Sequence, residues 1–459
     1  MTGRIDMCRG PLAGNIVRFA IPVVLGDLLQ LTFDAADMAV IGNWSVHGHS
    51  SLAAIGTTNS ITNLLLTLVL GISGGVNVVA AQCYGAKDDR GISRTVHTGI
   101  ALALFSGAVL LAVGVFAARP LLRWILVPEE ILESAKLYLQ LRFLGIPFLM
   151  IFTFGCVLLR AAGDTKRPLY YLVTAGVVNV VLNLVFVIVF KWDVAGVALA
   201  TAAAKGLAAA LVIRALVREG GPGRLMLSKI RFYIPTLKRI LWLGIPSGLQ
   251  SSCYWIANVI IQAAINTFGA LTIAGNTAAG MLEAVLHTFT FAMYQSVLSF
   301  AGQNYGARKY DRVARSILVC LFFGMASSLV LGWGAYFCGW RLLGLFNSDP
   351  RVIEQGMIRL QVIFTTYSLV GALDVVGGGL RGVGRSVAPA LVSLIGVCGF
   401  RIWWVLAVFP KFDSLTWLYA TYPISWGIAS LCNGAMLFMV CRRLLRGGEA
   451  PPCVGGGCA

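Results

Sequence analysis

The sequence predicts an all-α integral membrane protein with twelve transmembrane helices in two pseudo-symmetric six-helix lobes. Three observations carry that prediction. Of 459 residues, 58% are hydrophobic and only 12% charged, against about 45–50% and 25% in soluble domains. Apolar runs long enough to cross a bilayer, about 20 residues each, recur along the whole chain. Motifs of the first half return in the second at nearly constant offsets of 221 to 224. A dozen spans leave room for short connections and exclude a sizeable extramembrane domain.

In order, the spans are 16–43, 51–82, 94–118, 134–159, 168–190, 194–217, 237–267, 272–302, 313–340, 352–380, 387–409 and 414–440. Polar or glycine- and proline-bearing punctuation separates them, for example Gly85–Asp89, Asp164–Pro168, Lys191–Asp193, Asn347–Pro350 and Arg381–Arg385. The opening stretch carries Arg before its apolar run but no small-residue cleavage site, so it reads as a retained first span. The expected organisation is an N-terminal lobe at 1–218, a cytoplasmic linker at 219–236, a C-terminal lobe at 237–446 and a disordered tail at 447–459.

The chain carries 36 basic and 19 acidic residues, a formal charge of +17. Because the basic residues sit between apolar runs, they point to a membrane and not to nucleic acid. About 25 Lys and Arg fall on the termini and even-numbered loops, against about 8 on the other side, which places both ends in the cytoplasm. The 11 cysteines are scattered singly through apolar runs, with no metal-ligand spacing, and read as small buried hydrophobes. Trp44, Trp124, Trp192, Trp340 and Trp417 lie near span ends, as an interfacial belt requires.

The repeat is specific. Gln82, Tyr84, Gly85, Ala86 and Lys87, followed by Asp89-Arg90, recur as Gln303, Tyr305, Gly306, Ala307 and Arg308, followed by Asp311-Arg312. Arg160, Gly163 and Pro168 recur as Arg381, Gly384 and Pro389, and Ile21-Pro22 recurs as Ile245-Pro246. Six spans per copy give both copies one topology, so an axis along the membrane normal relates them.

Polar groups within spans are expensive and therefore informative. Asp27, Gln30, Asp34 and Asp37 share one face of span 1. Asp27 and Asp34 read equally well as interhelical hydrogen-bonding groups, whereas Asp37 reads as functional. Asn179 and Asn183, one turn apart in span 5, and Thr201 in span 6 could line an oxygen-rich pocket with it, able to hold a proton or a Na⁺. In the second half the position equivalent to Asp37 is apolar. Glu283, with no basic partner evident, is the better candidate there for a cationic substrate or a proton, alongside Phe33 and Gln250 as substrate-site candidates. Asp374 and Arg401 are expected to neutralise each other as a structural pair. Pro22, Pro147, Pro246 and Pro423 and the glycines at 71–75 and 377–379 serve as hinges or as close-packing points. No phosphate-binding loop is present, so energy must come from a gradient.

These residues resemble the multidrug and toxic compound extrusion family over nearly the whole chain. The resemblance rests on Pro22, the segment Ala36-Asp37-Met38-Ala39-Val40-Ile41-Gly42, the repeated Gln-x-Tyr-Gly-Ala, the run Arg160 to Pro168 and the block Val194 to Thr201. It implies a V-shaped twelve-helix fold, alternating access, and export of organic, often cationic, compounds in exchange for H⁺ or Na⁺, with no organic cofactor. Asp37 is similar to the family's first-lobe acid, whose protonation or Na⁺ binding bends span 1 at its proline; Asn179 and Thr201 match first-lobe polar positions. Asn183 stands where some relatives carry a second acid, and Phe33 where some carry Tyr, which removes one titratable group. The competing reading is a flippase for a lipid-linked saccharide, but intramembrane bases are few (Arg401, Lys205, Arg142). An enzyme is disfavoured because only His47 and His49 are close together. The expected partners are small organic molecules and the bilayer, with the protein a monomer.

Overall fold

The computed structural model describes residues 4–44, 48–124, 129–412 and 414–446. The tail from 447 and His47 lie outside the described residues, and the His49 side chain is likewise not described. The described residues form α1 (Leu12–Trp44), α2 (Gly48–Ala86), α3 (Asp89–Phe116), α4 (Ala118–Trp124), α5 (Glu129–Leu144), α6 (Ile146–Ala161), α7 (Lys166–Leu184), α8 (Asp193–Val217) and α9 (Ile234–Asn266). There follow α10 (Ala270–Gly306), α11 (Tyr310–Phe337), α12 (Gly339–Gly344), α13 (Pro350–Arg359), α14 (Ser368–Gly382), α15 (Val387–Ser393), α16 (Phe400–Ala407), α17 (Phe409–Phe412) and α18 (Leu415–Leu445). Among the described residues no strand occurs. In hydrocarbon a helix satisfies its backbone internally, so the composition leaves it little alternative.

Eight of these helical stretches are long and apolar enough to cross a membrane, and two bent pairs bring the number to 10 if each pair is one span. The remaining long helices, α9 and α10, have 33 and 37 residues, about 50 Å or more at 1.5 Å per residue, ample for a bilayer core. The spans expected at 134–159 and 352–380 are each bent helix pairs. The first is broken between α5 and α6 with a bend of 42°, and the second between α13 and α14 with a bend of 45°. At the first break Gly145 N–H closes a tight turn on the Arg142 carbonyl, and Pro147 has no N–H to extend the ladder. At the second, a π-helical turn at Leu360–Phe364 ends the first arm and the chain turns at Thr365–Tyr367 before α14, without any proline.

The described residues group into two compact units, one drawing on Leu25–Leu241 and the other on Asp6–Val24 and the described residues from Trp242 onward. The repeated motifs adopt the same backbone in both. Lys87 and Arg308, which close the Gln-x-Tyr-Gly-Ala runs, have φ of 56° and 57°, and Gly163 and Gly384 have φ of 90° and 88°. Gly163 needs its missing Cβ twice over, because a Cβ there would also fall 2.4 Å from the Ile5 carbonyl oxygen.

Each motif also receives a leading segment of chain. In the second unit Met7 is fully buried, and its carbonyl accepts from Asn304 Nδ2 at 3.1 Å and Arg312 Nε at 3.2 Å. Arg312 Nη2 reaches the carbonyls of Arg9 and Gly10, and Lys309 Nζ that of Cys8. Burial, then the nearby Asp6, pushes the Cys8 thiol up from its usual range, so it is a poor nucleophile. In the first unit the segment after α8 folds against α3, with Met226 N–H donating to His97 Nε2 at 3.1 Å and Tyr233 N–H to Thr98 Oγ1 at 3.3 Å. Arg239 reaches Gln82 of the motif itself.

Candidate functional site

In the first unit three helices meet at Asp37. The Asp164 carboxylate caps the start of α7, accepting from the N–H groups of Lys166 and Arg167 at 3.1 Å each. The helix then runs to Asn179 and Asn183, one turn apart and both buried. The turn at Phe190–Trp192 returns the chain as α8, bringing Thr201 back beside Asn179, whose Nδ2 donates to the Thr201 hydroxyl at 3.3 Å. α1 lies against α7 with the same direction. Gly26 faces Leu169 and Leu172, Phe33 lies over Gly176, and Asp37 reaches Asn183.

At the centre, Asn183 Nδ2 donates to Asp37 Oδ1 and, at 3.4 Å, to Asn179 Oδ1. The Thr201 hydroxyl lies 3.3 Å from Asp37 Oδ2 and 2.8 Å from the Val197 carbonyl. Its single proton can serve only one of them at a time. Both Asp37 oxygens thus face hydrogen-bond donors. A Na⁺ needs oxygen lone pairs, yet the amide of Asn183 presents its nitrogen to the carboxylate and leaves its own Oδ1 without a partner. Oxygens of Asp37, Thr201 and Asn179 converge beside that amide, a set whose chemistry suits a proton or a Na⁺.

The other sequence candidates fall as follows. Asp34 lies one turn before Asp37 and accepts from Gln30 Nε2 at 2.9 Å. The Phe33 ring packs against Gly176, where a Cβ would come 1.9 Å from it. Gly176→Ala should therefore push α1 off α7, costing about 1–3 kcal/mol as overpacking does and slowing transport. A lowered thermal midpoint in detergent, with reduced efflux, checks this. Pro22 sits inside α1, which continues helical through it.

Two second-half expectations are corrected. Glu283 is not without a basic partner: Arg359 Nη2 pairs with its carboxylate, and both side chains are largely buried. Arg359 also donates to Asn276 and lies 5.9 Å from the centroid of the Tyr419 ring, whose hydroxyl donates to Asn276 at 3.0 Å. Asp374 and Arg401 do not pair. Arg401 lies 4.2 Å from the Tyr422 ring centroid and donates to Ser425 and Asn258, both at 3.2 Å. A stacked guanidinium with neutral acceptors needs no carboxylate beside it. Asp374 instead has Thr290, His287 and Arg381 as its neighbours. Gln250 accepts from Arg381, which also donates to the Tyr294 hydroxyl at 3.1 Å. The residue sequence reasoning missed is Arg359, and its one signal was a basic side chain inside an expected span.

A set of long apolar helices with an ionisable, hydrogen-bonded centre among them defines a multi-pass helical membrane protein. A sequence model of the MatE family matches residues 22–185 and 246–405, and the chain belongs to that family. It is 28% identical over 446 residues to the probable multidrug resistance protein YpnP of Bacillus subtilis, covering 96% of each chain. It is 24% identical to the FAD transporter of Shewanella oneidensis, over 86% of this chain and 87% of that one. Among solved structures it resembles a MOP superfamily transporter from Pyrococcus furiosus, with a TM-score of 0.88 at 20% identity over 97% and 99% of the two chains. The outward-facing form of a MATE family multidrug resistance transporter gives the same TM-score at the same identity and coverage. The relatives are membrane transporters, so the chain is a transporter and not an enzyme.

Proposed function

We propose that this protein is a secondary antiporter that exports organic compounds, cationic ones among them, in exchange for an inward-moving H⁺ or Na⁺ by alternating access. It works without an organic cofactor, as a monomer in a bacterial cytoplasmic membrane with both termini inside. The observation that carries the reading is the Asp37 centre: a carboxylate inside a membrane helix, tied by hydrogen bonds to two other helices.

With Asp37 ionised, its charge holds the Asn183 amide and the Thr201 hydroxyl, binding α1 to α7 and α8. A proton arriving at Asp37 removes that charge, weakens both bonds, and frees the Thr201 hydroxyl for the Val197 carbonyl. The part of α1 beyond Pro22 can then repack, and substrate leaves. The names of several relatives, multidrug resistance and multidrug export proteins, support organic compounds as cargo. The test is ethidium efflux from reconstituted vesicles with a proton or a Na⁺ gradient imposed separately. Efflux driven by one of them is expected. No efflux under either would defeat the export reading and favour a lipid-linked amphiphile as cargo.

A further inference from the structure

The first-unit centre has a second layer that export by itself does not explain. α1 runs with α7, while α8 returns antiparallel to it, as the pairs Phe33 with Gly176, Asp37 with Asn183 and Asn179 with Thr201 require. α1 and α8 are therefore antiparallel. One turn back along α1 from Asp37 stands Asp34; one turn on along α8 from Thr201 stands Lys205. The two rungs, Asp37 with Thr201 and Asp34 with Lys205, follow from the same helix geometry.

The charged groups acting on Lys205 are Arg142, Asp34 and Asp37, and Lys205 and Arg142 both act on Asp34. Arg142, on α5, donates to the Tyr138 hydroxyl at 3.3 Å and lies 5.9 Å from that ring's centroid. Lys205 thus acts on both carboxylates and Arg142 on Asp34. Asp37 itself accepts from Asn183 Nδ2 and the Thr201 hydroxyl.

We infer that the resident cation of this centre is the Lys205 ammonium, and that Lys205 keeps Na⁺ out of the Asp37 pocket. An incoming Na⁺ would meet the like charge of Lys205 in a low-dielectric setting. A proton bonds to the carboxylate itself and leaves no separate cation beside Lys205. This inference rests on the export reading only in taking Asp37 as the coupling group.

The experiment is thermal unfolding of the purified full-length protein in detergent, with NaCl replacing KCl at constant ionic strength. Wild type should melt at the same temperature in both salts, and so should Lys205→Arg, which keeps the charge. Lys205→Met should gain a Na⁺-specific rise of about 2 °C, as ligand linkage predicts for a weakly held ion, and Lys205→Met with Asp37→Asn should lose it. A Na⁺-specific rise in wild type that Asp37→Asn abolishes would overturn the assignment, and that comparison needs no Lys205 variant to fold. A folded Lys205→Met with no rise would overturn it equally. Either failure leaves gradient-driven ethidium efflux untouched, whereas absence of efflux would remove the export reading and leave the melting result standing.

Discussion

Asp37→Asn should reduce gradient-driven ethidium efflux to the level of protein-free vesicles, a drop of at least about tenfold for an intramembrane ionisable group that carries coupling. The amide keeps the shape and one acceptor oxygen, so the contact to Asn183 or Thr201 survives in part. Its stability cost is accordingly about 1 kcal/mol. What it loses is the ability to change charge. Asp37→Ala should also abolish efflux but cost more stability, because the Asn183 amide is then left without its carboxylate acceptor in a buried site. Comparing the two separates a coupling role from a packing role. Efflux retained in Asp37→Asn at the wild-type rate would remove Asp37 from the transport cycle.

Arg359→Met should be the most destabilising single change in the second unit. Glu283 and Arg359 form a largely buried ion pair, and the guanidinium also holds Asn276, which in turn holds Gln262 and Tyr419. α9, α10, α13 and α18 are joined through that one cluster. Deleting the cation strands the Glu283 carboxylate, at about 3–5 kcal/mol for a broken buried pair. Replacing both partners with apolar residues should recover much of the loss, since no charge is then left uncompensated. Thermal midpoints of Arg359→Met and of Arg359→Met with Glu283→Leu check this. If the double variant is no more stable than the single one, the pair is not what holds this region.

Much of the fold was legible because a bilayer punishes exceptions. Twenty-residue apolar runs have one reading, and the repeated Gln-x-Tyr-Gly-Ala and Arg-x-x-Gly marked positions where the chain takes positive φ, at Lys87 and Arg308 and at Gly163 and Gly384. The centre at Asp37 was legible for the same reason: helical spacing put Asn179 and Asn183 on one face, and polar groups are scarce enough in spans for their neighbours to be guessed. The pairings in the second unit were not. Arg359 lies 76 positions from Glu283, in an arm that bends away after Phe364 with no proline to announce it. Arg401 was assigned a carboxylate on charge alone, whereas the folded chain gives it an aromatic face and two neutral acceptors. Sequence shows which charges must be compensated; the identity of the partner is a tertiary fact.

The most direct measurement is of substrate-driven proton movement in vesicles reconstituted with the purified protein and loaded with a pH-sensitive dye. An imposed ethidium gradient, with no other gradient present, should drive protons the opposite way in wild type and leave internal pH unchanged in Asp37→Asn. Equal proton movement in the two proteins, or ethidium crossing in wild type with no proton movement at all, would contradict the account.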